Sequence, residues 1–154
     1  FLSAAAGAPL WSVLAERVGT KPVLVAAMLL AIVTFAGAFF LREGDVLWFA
    51  LVCFGSGLAT GADLTLLPAI FARRLEVVSP SGAAGFGLWS FMSKFTLAFA
   101  AVVLLPALQF GGFDADGVND ESALWLLSLL YAGVPCVLKL AAIALVATTD
   151  LKET

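Results

Sequence analysis

The sequence contains no histidine and few charged residues. It has 8 basic and 11 acidic residues in 154, so 12% of the chain is charged, about half the share of an ordinary soluble domain. A water-soluble domain of this size could not cover its surface with so few charges. A disordered chain and a nucleic-acid binder with a basic face are excluded as well, because both need many charged residues.

Without histidine, the chain lacks the commonest general base and the commonest metal ligand. Its two cysteines, Cys53 and Cys136, are far apart in long apolar runs and are interpreted as small buried hydrophobic residues. There is no CxxC, no HExxH and no phosphate-binding glycine loop followed by lysine. The sequence therefore predicts neither an enzyme nor a metal site nor a bound cofactor.

Long apolar runs dominate the sequence, which is 62% hydrophobic with a mean hydropathy of +1.08. A helix that crosses a bilayer needs about 20 mostly apolar residues. The runs are far longer than the roughly ten-residue strands of a membrane barrel, so they predict an all-α membrane protein with four full spans and one partial span. The partial span is 1–15, and the full spans are 22–41, 46–72, 85–110 and 123–147.

The positions of lysine and arginine predict the orientation. Five of them fall on one side of the membrane and only Arg42 falls on the other. Because cytoplasmic loops are enriched in these residues, the five-charge side and the C-terminus are expected in the cytoplasm. The five are Arg17, Lys21, Arg73, Arg74 and Lys152.

Three charged residues, Asp63, Lys94 and Lys139, lie inside predicted spans. Each costs about 2.5–3.5 kcal/mol at a helix centre, so each needs a partner or water. At 1.5 Å per residue, Asp63 and Lys94 lie about 14 Å into the membrane and Lys139 about 12 Å. An Asp63–Lys94 pair fits these depths, whereas the long stem of Lys139 predicts that its ammonium extends to the cytoplasmic interface.

Small and polar side chains surround two of these charges. Ser56 and Thr60 precede Asp63 on one helical stripe, and Gly87 and Ser90 precede Lys94 on another. Such stripes are typical of a substrate pathway, and Trp89 is placed to stack on a ring-shaped ligand. The predicted substrate-binding residues are Lys94, Asp63, Trp89, Ser90 and Thr60. Two alternatives stay open: a salt bridge that only stabilises packing, and hydroxyls that bond back to their own helix.

Other features of the spans are interpreted as packing. Gly57-Leu-Ala-Thr-Gly61 matches GxxxG, a spacing that lets two membrane helices approach closely. Pro68, Pro106 and Pro135 lie within spans and are expected to bend them.

The segment from Glu16 to Lys21, with Ser12 four residues before the glutamate, resembles the cytoplasmic loop signature of the major facilitator superfamily. The full signature is Gly-x-x-x-Asp-Arg-x-Gly-Arg-Lys, so Ser12 replaces the glycine and Glu16 the aspartate. The resemblance implies a cytoplasmic gate formed by Glu16, Arg17 and Lys21.

Four further segments resemble the C-terminal half of the glycoside–pentoside–hexuronide:cation symporters, the melibiose-permease-like family. They are 61–68, 85–94, 111–114 and 131–140. The resemblance implies helices 8 (partial) to 12 of a twelve-helix transporter in a bacterial cytoplasmic membrane, with the N-terminal half missing. The family's helix 11 lysine, which lies beside the central cavity, corresponds to Lys94. Arg73 departs from the family pattern, which has aspartate shortly after the helix 10 proline.

The implied function is symport of a sugar or glycoside with Na⁺ or H⁺ by alternating access between two halves. The site of the coupling cation is expected in the missing N-terminal half. Two alternatives remain: a lipid, lysolipid or other small-solute transporter on the same fold, and a non-transporting membrane subunit. The expected partners are the small-molecule substrate, the lipid bilayer and the missing half, and no nucleic acid.

Overall fold

A computed structural model describes residues 2–41, 44–78, 82–115, 117 and 119–149. Within these ranges all regular structure is helical, and four helical stretches are long and apolar enough to cross a membrane. The predicted all-α membrane fold is confirmed. The helices are α1 (Leu2–Val18), α2 (Thr20–Ala38), α3 (Val46–Val78), α4 (Ala83–Phe110), α5 (Glu121–Ser128) and α6 (Val134–Thr148).

Helix α2 begins two residues before the predicted span because a glycine ends α1 directly before it. Gly19 has a φ of 99°, a conformation that side chains disfavour, and its N–H donates to the carbonyl of Ala15 at 2.9 Å. One residue therefore terminates α1 and separates it from α2. Lys21 is consequently placed in the first turn of α2 rather than in a loop.

Helix α3 continues to Val78, six residues beyond the apolar run that defined its predicted span. Arg73, Arg74, Leu75 and Glu76 follow the run, and each has a high helix propensity. A hydropathy boundary marks where a helix leaves the apolar layer, whereas propensity decides where the helix ends.

The last predicted span consists of α5, a π-helical turn and α6. The turn covers Leu129–Gly133 and ends two residues before Pro135, near the start of α6. Proline has no N–H to donate to the carbonyl four residues earlier, and its ring crowds that carbonyl. The wider π-helical turn accommodates both effects without breaking the span.

The chain divides into two compact units. Unit 1 comprises Phe1–Ala69 with Tyr131–Thr154, and unit 2 comprises Ile70–Leu130. Unit 1 therefore contains α1, α2, most of α3 and α6, and unit 2 contains the end of α3 with α4 and α5.

In unit 1, α2 packs antiparallel to α6. Lys21 Nζ reaches the carbonyl of Ala147, Cys136 Sγ lies 3.6 Å from the carbonyl of Ile32, and the rings of Phe35 and Tyr131 are 6.0 Å apart. Residue numbers thus rise along α2 as they fall along α6. The start of α2 and the end of α6 therefore lie at the same end of unit 1.

The GxxxG segment is a packing motif, as predicted. A Cβ atom at Gly61 would lie 2.6 Å from the backbone carbonyl of Ala4, and one at Gly57 would lie 2.0 Å from the Ser3 hydroxyl. The backbones of α1 and α3 are therefore as close as two glycines permit. The indole N–H of Trp11 also donates to the carbonyl of Leu58 at 2.8 Å, which fixes the register of the two helices.

In unit 2, the end of α3 packs on the start of α4. Phe71 contacts Phe86 edge-on, with ring centroids 5.6 Å apart, and the Leu75 side chain fills the space beside Gly85. None of residues 83–110, all of which the structure describes, is buried. Helix α4 therefore presents nearly all of its apolar surface outward.

Candidate functional site

Two of the three intramembrane charges form an ion pair in unit 1. The ammonium of Lys139 on α6 binds Oδ2 of Asp63 on α3. The two side chains keep 21% and 22% of their surface exposed, so the pair is largely enclosed. It connects two membrane helices by a charge-assisted hydrogen bond, the strongest polar contact available to such helices.

The other carboxylate oxygen of Asp63 is unused. Oδ1 is buried, and no donor among the described residues reaches it. A buried acceptor without a donor is unfavourable by about 1–3 kcal/mol. The carboxylate is thus charge-compensated on one oxygen and unsatisfied on the other.

This arrangement corrects the interpretation of Lys139. Its stem length predicted an ammonium at the interface, and that prediction is wrong because the ammonium is bound at the level of Asp63. The sequence contained a signal for the pair, since the estimated depths of Asp63 and Lys139 differ by only about 2 Å. Depth alone could not show which lysine lies beside the carboxylate.

The Ser56 and Thr60 hydroxyls before Asp63 are both hydrogen-bonded to carbonyls of their own helix. Thr60 donates to the carbonyl of Ser56 at 2.8 Å, and Ser56 donates to the carbonyl of Cys53 at 3.3 Å. The alternative in which these hydroxyls bond back to their own helix is therefore confirmed. Each oxygen can still accept a bond from a ligand, and Thr60 is exposed.

In unit 2, Lys94 and Ser90 are exposed on α4. Among the residues that the structure describes, no carboxylate lies within salt-bridge distance of Lys94. By contrast, the hydroxyl of Ser93 is bonded back to the carbonyl of Trp89 at 2.9 Å. On this side of α4, the Lys94 ammonium and the Ser90 hydroxyl are therefore the polar groups that can bind a ligand.

Trp89 is half-buried in unit 2. Its ring packs on Phe71 with a centroid distance of 5.0 Å and an angle of 37° between the planes. An indole held in this way is pre-oriented, and it stands one turn before Ser93 and Lys94 on α4.

Of the three predicted gate residues, Lys21 has an additional structural role. Its ammonium donates to the carbonyls of Ala147 at 3.1 Å and Thr149 at 2.9 Å, so it caps the end of α6. A cation is favourable there because the last helical carbonyls carry partial negative charge. Glu16 and Arg17 are exposed in the last turn of α1.

Unit 1 also contains a cleft of about 470 Å³ between the end of α2 and the start of α3. Its walls are mainly apolar, with Asp45 and Thr34 as the polar exceptions. The Thr34 hydroxyl is bonded to the carbonyls of Leu30 and Ala31, at 2.9 Å each. The cleft is therefore better suited to an alkyl chain than to a sugar. It is lined by Val33, Thr34, Gly37, Phe40, Leu41, Asp45, Trp48, Leu51 and Val52.

Comparison with known proteins identifies one family. A family model described as MFS/sugar transport protein matches residues 1–153, nearly the whole chain. No curated protein and no solved structure matched the sequence.

Proposed function

The chain belongs to the MFS/sugar transport protein family of the major facilitator superfamily, and from this premise we propose that it forms the C-terminal half of a sugar or glycoside:cation symporter. The spans are then helix 8 in part and helices 9 to 12. Alternating access would operate between this half and an N-terminal half that is not part of the chain.

The observation that carries the proposal is that the intramembrane charges differ in whether they are paired. Asp63 is neutralised by Lys139, whereas Lys94 is exposed without a carboxylate partner in the described part of the chain. A lysine inside a membrane span without a partner is a functional-site candidate. Its ammonium can donate to sugar hydroxyls, and Trp89 offers the aromatic face on which sugar rings stack.

Substrate binding is assigned to Lys94, Trp89 and Ser90 in unit 2. Asp63 and Thr60 are separate substrate-binding candidates of unit 1. Glu16, Arg17 and Lys21 are assigned to the cytoplasmic gate. Because Lys21 contacts the end of α6, the start of α2 and the end of α6 are proposed to lie on the same side of the membrane. The excess of lysine and arginine on that side assigns it to the cytoplasm. The proposed location is a bacterial cytoplasmic membrane.

The test is uptake by proteoliposomes that contain the full-length transporter. Radiolabelled hexosides, pentosides and hexuronides are supplied under a Na⁺ gradient or an H⁺ gradient. Lys94→Ala should reduce coupled uptake by about tenfold to a hundredfold, which is the loss expected for one charged hydrogen bond. Ser93→Ala is the matched control, because the Ser93 hydroxyl is already bonded to its own helix. Undiminished coupled uptake with Lys94→Ala removes this lysine from the mechanism.

The apolar cleft supports a second candidate, transport of a lipid or lysolipid. Its volume of about 470 Å³ lies in the usual range of small-ligand sites. A lysophospholipid supplied to the same proteoliposomes distinguishes the two. Uptake of the lysolipid without uptake of any sugar would favour this candidate.

A further inference from the structure

The cleft of unit 1 narrows toward its inner end, because α2 and α3 touch there and separate toward the turn that joins them. A Cβ atom at Gly55 would clash with the Thr34 methyl group, whereas one at Gly37 would lie 3.8 Å from Val52 Cγ2. Gly37 has no side chain to fill the gap opposite Val52, so a cleft of about 470 Å³ remains. The two helices therefore form a slot that is open at the turn and closed at Thr34.

The cleft has a polar end and an apolar end. Asp45 lies at the turn, and Val52 follows seven residues later, about 10 Å along α3 at 1.5 Å per residue. Trp48 and Leu51 line the wall between them. The hydroxyl at the inner end belongs to Thr34 and donates to two carbonyls of its own helix. This gradient matches an amphiphile whose head group lies at Asp45 and whose alkyl chain extends toward Val52.

The mouth of the cleft opens to the surroundings of unit 1. Phe40, Trp48 and Leu51 line it, and each is more than half exposed. Water is disfavoured between such walls, because a bound water molecule needs two to four polar partners. A sugar would likewise lose the hydrogen bonds of most of its hydroxyls. In a membrane protein the alkyl chains that reach this mouth are those of the bilayer lipids.

Charge determines which lipid fits the cleft. Within the part of the chain that the structure describes, Asp45 is the one charged residue of the lining, and it is half-buried. Its carboxylate repels a head group of net negative charge, whereas a primary ammonium is attracted and donates hydrogen bonds to it. Asp45 also interacts within the protein, but a carboxylate accepts several hydrogen bonds at once.

We propose that the cleft binds one zwitterionic phospholipid whose head group ends in a primary amine, such as phosphatidylethanolamine. One acyl chain lies between α2 and α3, and the ammonium donates to the Asp45 carboxylate. The lipid is a bound component of the protein and not a transported substrate. The inference requires only that the chain spans a membrane, so it holds independently of the proposed sugar symport.

Selectivity among lipids arises mainly at the head group. A lipid chain leaves one apolar phase to enter another, so it gains packing contacts without a hydrophobic driving force. The contact between an ammonium and a partly exposed carboxylate changes affinity by up to about fivefold. Lipids that share their acyl chains and differ in the head group therefore isolate the contribution of Asp45.

The experiment is native mass spectrometry of the full-length protein with dioleoyl phospholipids that carry an ethanolamine, a choline or a glycerol head group. The ethanolamine lipid should bind about fivefold more tightly than the glycerol lipid, and the choline lipid, which has no N–H to donate, should lie between them. Asp45→Asn should remove this preference without weakening the start of α3, because asparagine caps a helix as well as aspartate does. Asp120→Asn, at the residue directly before α5, is the matched control and should retain the preference. Equal preference in wild type and Asp45→Asn overturns the proposal.

Gly37→Leu tests the position of the acyl chain. The new Cβ has room beside Val52, leucine favours a helix more than glycine does, and the rest of the side chain fills the cleft. An ethanolamine lipid with a diazirine in the middle of one acyl chain should crosslink to residues 45–52 in wild type, and Gly37→Leu should largely abolish this crosslink. Crosslinks to the exposed residues 97–102 of α4 should not change. A crosslink that persists in Gly37→Leu overturns the proposal, as does its absence in wild type because another membrane segment covers the mouth.

Neither measurement needs a transported substrate, so both separate this inference from the proposed function. A protein that accumulates no sugar but prefers the ethanolamine lipid through Asp45 retains the lipid site and loses the sugar-symport proposal. If wild type takes up lysolipid and Gly37→Leu abolishes that uptake, the cleft lies on a transport route. The lipid is then a substrate, and the inference of a bound lipid is overturned.

Discussion

Helix α2 of unit 1 and helix α4 of unit 2 are both apolar and long enough to cross a membrane, but they differ in how they are packed. In unit 1, α2 buries one face, formed by Val23, Leu24, Ala27, Met28 and Ala31. In unit 2, α4 buries no residue along its 28 positions. Apolar composition therefore identifies a membrane span without showing whether protein or another surface covers it.

The charges follow the same division. Unit 1 neutralises Asp63 with Lys139 and caps α6 with Lys21, so these groups stabilise the unit. Unit 2 presents Lys94 outward without a carboxylate partner in the described residues. An intramembrane charge should therefore be assigned to function only after its partner is known.

The largest expected effect tests this difference with two lysine variants. Lys139→Met leaves Asp63 unpaired, and removing one partner of a buried ion pair costs about 3 kcal/mol. Lys94→Met removes a charge that has no carboxylate partner among the described residues, so stability should be unchanged or improved while coupled uptake falls by about tenfold to a hundredfold. Thermal unfolding of the detergent-solubilised full-length protein measures the stability of both variants. Equal destabilisation by the two variants would contradict this difference between Lys139 and Lys94.

The second-largest effect on stability is expected from alanine substitutions at two glycines. A Cβ at Gly61 would lie 2.6 Å from the Ala4 carbonyl, whereas nothing lies within 4 Å of one at Gly87. Gly61→Ala should destabilise the protein by about 1–3 kcal/mol, the usual result of overpacking. Gly87→Ala should stabilise α4 by about 0.5–1 kcal/mol, because alanine loses less backbone entropy in a helix.

Thermal unfolding of both variants decides this comparison. If Gly61→Ala is as stable as the wild type, the close approach of α1 and α3 is not required for the packing of unit 1.

The membrane spans and the GxxxG contact could be predicted from the sequence because each depends on local composition. Span length follows from the thickness of the bilayer, and Gly57 and Gly61 approach α1 because small residues at that spacing leave a groove. Such features need no knowledge of which helices are neighbours.

The partner of Asp63 could not be predicted in this way. Asp63 and Lys139 are 76 positions apart, and their contact depends on the order of the helices within the bundle. Lys94 and Lys139 lie at nearly equal estimated depths, so either could have supplied the positive charge that Asp63 needs. The end of α6 is a similar case, since the sequence placed Lys21 at a gate without showing that its ammonium reaches two carbonyls of another helix.

The third effect concerns that cap. Lys21→Met removes both hydrogen bonds from the end of α6, and a cation at a helix C-terminus contributes up to about 1 kcal/mol. Amide hydrogen exchange of the last turn of α6 should accelerate by about fivefold. Lys21→Arg should retain protection, and Arg17→Gln should not change it, because Arg17 is exposed at the end of α1. Exchange at α6 that is unaffected by Lys21→Met would return Lys21 to a role at the gate alone.

The smallest effect is expected at the Trp11 contact in unit 1. Trp11→Phe keeps an aromatic ring against α3 and removes only the 2.8 Å hydrogen bond to the carbonyl of Leu58. Hydrogen bonds between membrane helices contribute about 0.6 kcal/mol on average, so the unfolding free energy should fall by about that amount. Trp125→Phe is the control, because Trp125 is exposed on α5 in unit 2. A larger loss at Trp11 than at Gly61 would mean that the hydrogen bond, rather than close backbone packing, holds α1 to α3.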